Sequence, residues 1–67
     1  MSPAVAWVAA NANEGRVPAR IEAPLVHHVD LIAAGYAPEP PRLDYPGHIV
    51  ITDTLGREWA ANLPEMW

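Results

Sequence analysis

The chain has 67 residues, room for one domain with a thin core. At this size about 60% of the unfolded surface is buried and a single core supplies about 3–5 kcal/mol. The absence of cysteine excludes disulfides, thiolate zinc sites and thiol catalysis. A hydrophobic fraction of 51% argues against wholesale disorder, and a net charge of −4, with eight carboxylates against four arginines, is the wrong sign for indiscriminate phosphate binding.

In chain order, residues 2–13 read as a first helix. Ser2 is placed to cap it, Pro3 fits the first helical position, and Gly15 supplies a left-handed stop. Val5, Val8, Ala9 and Ala12 recur at helical spacing, while Trp7 lies opposite Val5, either as further core or as an interface anchor. The apolar run at residues 4–10 is far too short for a membrane span and lacks the basic flank of a signal peptide. A soluble, cytoplasmic protein is the expectation. Residues 16–22 have room for a turn and at most one helical turn.

Residues 21–36 carry the clearest helical pattern. Leu25, Val29, Ile32 and Tyr36 fall at i, i+4, i+7 and i+11, and Gly35 reads as the C-cap. With that stripe inward, the solvent face presents His27, Asp30, Leu31 and Ala34. Residues 37–46 form a proline-rich arm that is barred from a central strand. Residues 48–52, His-Ile-Val-Ile-Thr, are the best strand in the chain. Asp53 is then placed to cap a last helix over residues 54–63, with Leu55, Trp59 and Leu63 on one face and Gly56 as a weakness in its first turn. The rival is a hairpin that turns at residues 54–56 into a strand over residues 57–61. The expected core is Leu25, Val29, Ile32, Tyr36, Ile49, Ile51, Leu55 and Trp59.

Leu31, Gly35 and Tyr36, followed by Ile51, Thr52, Gly56, Arg57 and Glu58, resemble the back half of winged helix-turn-helix domains of the PadR and MarR type. In that family a recognition helix ends in a Leu-x-x-x-Gly-Tyr-like stop, a β-wing follows, and a Thr-x-x-Gly-Arg segment opens the next helix. The resemblance covers residues 23–63 and implies a small α+β, winged-helix-like module. Such a module has two to three short helices and a β element near residues 48–52. One extra residue stands between Thr52 and Gly56, prolines occupy the first wing strand, and the usual first two helices are compressed into residues 2–22.

Function divides between two classes. A DNA reader needs Arg, Lys, Asn or Gln on its recognition face, whereas this face offers only His27 and carries Asp30; Arg20, Arg42 and Arg57 lie elsewhere. The preferred reading is a non-enzymatic regulatory protein that binds another protein or itself, as adaptor, subunit or inhibitor, by analogy with phage-type regulators. His27, Asp30, Leu31, Ala34, Arg42, Arg57 and the terminal Trp67 are its candidate contacts. The alternative is a dimeric winged-helix transcriptional regulator. No cofactor, metal, membrane or small-molecule substrate is expected. Adjacent His27 and His28 point about 100° apart on a helix and cannot chelate together, and His27 with Asp30 lacks a third ligand. Ser2 is the only serine, and no glycine-rich phosphate loop is present. Pro38, Pro41 and Arg42 match a PxxP-plus-Arg ligand, which reads more simply as a rigid loop.

Overall fold

The Ser2 hydroxyl accepts the Val5 N–H at 3.2 Å and opens α1, Pro3–Asn13, with Pro3 at the position where a missing N–H costs nothing. The computed structural model describes residues 2–63; Met66 and Trp67 lie outside them. Element order is α1, β1 (Pro18–Glu22), a 3₁₀ turn (Leu25–His27), α2 (His28–Ala33), β2 (His48–Asp53) and β3 (Glu58–Asn62). Over the described residues the chain is therefore a small α+β fold with two helices on a three-stranded antiparallel sheet of order β1-β2-β3.

The buried face of α1 is Ala4, Val8 and Asn11, one step around from the expected stripe, with Val5 and Trp7 half-buried beside it. Buried Asn11 is satisfied on both sides of its amide. Its Nδ2 donates to the Trp7 carbonyl at 2.9 Å, and its Oδ1 accepts from Arg16 Nη1 at 2.9 Å.

Residues 16–22, expected to be a turn, contain β1 instead. Pro18 sits at the first residue of an outer strand, where its missing N–H is tolerated, and Arg20, Ile21 and Glu22 alternate between faces. A β-branched strand such as β2, with all of Ile49, Val50 and Ile51 buried, needs partners on both sides for its backbone groups; β1 is one of them.

The long helix expected over residues 21–36 shrinks to the 3₁₀ turn and six residues of α2, and its orientation is inverted. Ala23, His27 and Leu31 are its buried residues, whereas Leu25, Val29 and Ile32 of the apolar stripe are 73%, 77% and 61% exposed. The reason is geometric. Ile21 and Glu22 are committed to β1, so Ala23 is drawn under the sheet, and the helix that follows continues that face at i+4 and i+8. His28 Nε2 donates to the Ala23 carbonyl at 2.7 Å and fastens the turn. Gly35, at φ +95°, ends α2 as expected. It lets Tyr36 N–H reach the Leu31 carbonyl at 2.9 Å while its own N–H bonds Ile32 at 3.0 Å.

The last element also departs from the expected helix. Residues 54–63 are not helical; the hairpin is formed. Asp53 N–H donates to the Arg57 carbonyl (2.9 Å), Gly56 N–H donates to the Asp53 carbonyl (3.0 Å), and Gly56 takes φ +83°. This is a three-residue hairpin loop, a turn followed by a left-handed residue. Leu55, expected in the core, sits on the loop at 75% exposure.

One face of the sheet, with Ile21, Ile49 and Ile51, joins Ala4, Val8, Ala23 and Leu31 in the core, and Tyr36 and Trp59 pack half-buried against it. The other face carries Glu22, Val50 and Glu58, and the proline-rich arm crosses it. Arg42 pairs with Glu22 of β1 (3.3 Å) and Glu58 of β3, straddling Val50, which is buried. Glu39 of the arm also bonds the outer edge of β1, donating to the Ile21 carbonyl at 2.7 Å and accepting from Ala23 N–H at 3.0 Å.

Candidate functional site

The six candidate contact residues that the structure describes do not form one surface. Leu31 is fully buried and His27 is buried beside it, so neither faces a partner. Asp30 on α2 and Ala34, the residue that caps its end, are exposed. Arg42 and Arg57 are exposed to different degrees but committed within the chain, and Trp67 is outside the described residues.

What the inversion of α2 puts on the surface is apolar. Leu25 and Val26 of the 3₁₀ turn, with Val29 and Ile32 of α2, are all more than half exposed. Leu25, Val29 and Ile32 follow the helical repeat and Val26 flanks them, so the four lie on one broad side of a single continuous element. A soluble domain leaves isolated aliphatic side chains in water without consequence, but four on one turn and helix form a patch of the kind that partners cover. The sequence announced this stripe. The missing information was which side of it the sheet would claim.

The charges around the patch have a definite bias. Arg16 pairs with Glu14, Arg20 with Glu22 (2.9 Å) and Glu39 (2.7 Å), Arg42 with Glu22, Asp44 (3.5 Å) and Glu58, and Arg57 with Asp53 (2.8 Å). The hydrogen bond to Glu39 is the main cause that holds the Arg20 guanidinium above its ordinary pKa, and that to Glu58 does the same for Arg42. All four arginines thus have a carboxylate already in place. Asp30, on α2 beside the patch, is the one carboxylate among the described residues with no cationic partner.

Asp53 anchors a second locus. Its buried carboxylate accepts from the backbone N–H of Leu55 (2.9 Å) and Arg57 (2.9 Å), from Arg57 Nε (2.8 Å) and from the Trp59 indole N–H (3.2 Å). Burial pushes this carboxyl up, but the bonds from the Arg57 backbone, Trp59, the Arg57 guanidinium and Leu55 together outweigh it and hold it below the usual carboxylate range. The indole so fixed carries the Arg16 guanidinium 3.7 Å above its ring centre. Beside it an open cleft of about 330 Å³ runs between α1 and β3, lined by Trp7, Ala10, Glu14, Trp59 and Ala60 among others. By its position alone Asp53 suits a helix cap. The spacing of Asp53 and Gly56, first and last positions of a turn, is the signal that identifies the hairpin.

Among the described residues no group of three or more His, Cys, Asp or Glu side chains is arranged to hold a metal ion, and no helix is long and apolar enough to cross a membrane. Comparison with family models, with curated proteins and with solved structures returns no match to the chain.

Proposed function

We propose that this chain is a small, non-enzymatic cytoplasmic regulatory protein that acts by binding another protein through the apolar face of its 3₁₀ turn and α2. The observation that carries this reading is the solvent exposure of Leu25, Val26, Val29 and Ile32 on one element. The partner it fits is an apolar groove with a basic rim, because unpaired Asp30 stands beside the patch and the net charge of the chain is −4. Phosphate recognition is poorly supported, since every arginine would have to leave an internal carboxylate before it could contact a nucleic-acid backbone.

The test is affinity capture with the wild-type chain, run beside Ile32→Asp, Val29→Asp and, as a control on the arm, Leu43→Asp. The reading requires a protein retained by wild type and Leu43→Asp, lost with both α2 variants, and weakened only modestly by salt, as an apolar contact with a charged rim should be. Tight duplex DNA binding that falls steeply with salt and depends on Arg42 and Arg57 would overturn it in favour of a winged-helix regulator.

A further inference from the structure

The two edges of the sheet are treated differently. At β1, Glu39 occupies the outer backbone groups of Ile21 and Ala23, and Pro18, Pro38 and Pro40 surround that edge. At β3 no such guard stands within the strand: its sequence is Glu-Trp-Ala-Ala-Asn, without proline or lysine. Because Asp53 and Arg57 are a hydrogen-bonded pair, the alternation of an antiparallel ladder turns the backbone groups of residues 57, 59 and 61 toward β2. Those of Glu58, Ala60 and Asn62 turn outward. The side chains of these three residues are exposed. The cleft between α1 and β3 reaches Ala60, so among the described residues there is open space beside this edge at Ala60.

We propose that β3 is a self-pairing edge, and that two copies of this chain join along it as antiparallel strands about a two-fold axis at Ala60. The register is set by the sequence. With Ala60 opposite Ala60, each Glu58 faces Asn62 of the second copy, and all three outward residues of both strands exchange N–H···O=C bonds. A shift of the axis to Trp59 sets Asn62 against Gly56 in the hairpin loop. A shift to Ala61 sets Glu58 against Pro64, which has no N–H to give. An axis at Glu58 opposes two carboxylates directly. In the Ala60 register, Trp59 on the core side lies opposite Ala61 of the second copy, large against small. Glu58 meets the amide of Asn62 with its own charge already paired to Arg42. The pairing uses none of the residues of the α2 patch, so it stands or falls independently of the protein-binding reading.

The experiment is a charge swap at the axis, read by sedimentation equilibrium. Wild type is expected at twice the monomer mass at tens of micromolar. Ala60→Lys and Ala60→Glu, each of which brings like charges together at the axis, are expected to sediment as monomers with unchanged far-UV circular dichroism. Their equimolar mixture is expected to return to the dimer mass. Wild-type monomer, or single variants that remain dimeric, overturns the proposal. Amide exchange in the wild-type chain supplies a check that needs no variant to fold. The Glu58, Ala60 and Asn62 amides must exchange more slowly as concentration rises, and exchange independent of concentration overturns the pairing.

Discussion

Both helices are rich in apolar residues and use them in opposite ways. α1 has a side-chain cap at Ser2, eleven residues, and a buried face of Ala4, Val8 and Asn11. After its end, Arg16 stacks on Trp59, which Asp53 holds. α2 has six residues, no side-chain cap, and Leu31 as its one buried side chain. Its other aliphatic residues are turned to water. A helix that serves only the core is expected to bury its apolar side; α2 spends one leucine on the core and keeps the rest outside. The difference teaches that an amphipathic pattern specifies that a face exists, while the neighbouring layers decide what the face meets.

The largest effect that tests this contrast is at the anchor of α2. Leu31→Ala leaves a cavity where α2, α1 and the sheet converge, and should cost about 2–5 kcal/mol, comparable with the whole stability available to a domain of this size. Chemical denaturation followed by circular dichroism measures it. If Leu31→Ala melts like wild type, α2 is not anchored through its buried leucine and the inversion is wrong.

The link between α1 and the sheet offers a second test, and its sign follows from the lowered pKa of Asp53. A carboxyl whose folded pKa lies below its unfolded value stabilises the fold above the unfolded pKa, near 3.9, and loses that contribution as pH falls through the folded value. Wild type should therefore lose melting temperature below about pH 4. Asp53→Asn should melt lower than wild type at pH 7, and the gap should narrow in acid. A gap that is constant from pH 7 to pH 2 would mean that the charge on Asp53 contributes nothing to the hairpin.

Much of this architecture is legible in the residues, for reasons that differ along the chain. Ser2, Pro3 and Gly15 announce α1, and the β-branched run announces β2, because capping and strand preference are local. Gly35 announces the end of α2 for the same reason. β1 is not legible: Pro-Ala-Arg-Ile-Glu has a single large apolar residue, and its strand state comes from pairing with β2. The hairpin was legible as a rival only, since Asp53 suits a helix cap and a turn equally, and Gly56 was the residue that separated them. The candidate contacts suffered most. The longest apolar stripe predicts Leu25, Val29 and Ile32 inside and Leu31 and His27 outside, and the structure reverses all five.

A smaller effect separates the helices by their beginnings. Ser2→Ala removes the acceptor for Val5 N–H and should cost about 1 kcal/mol, within the usual range for a lost cap. The loss should appear as faster amide exchange in the first turn of α1, with α2 unaffected, because α2 begins at His28 with no side-chain cap to lose.

The smallest effect on stability is the most informative about function. Ile32 is 61% exposed, and its removal opens no cavity. Alanine is also the better helix former, so Ile32→Ala should leave the unfolding free energy within about 0.5 kcal/mol of wild type. The same change deletes a large part of the α2 patch, and a partner seated there must lose affinity although the fold does not change. Ile32→Ala and Leu31→Ala are thus neighbouring truncations on one helix with opposite expectations: one unfolds the chain, and the other disarms it. Titration calorimetry with the captured partner, beside a denaturation curve for each variant, reads both. Should Ile32→Ala destabilise the chain by several kcal/mol, the apolar stripe is core after all, and the binding surface must be sought elsewhere.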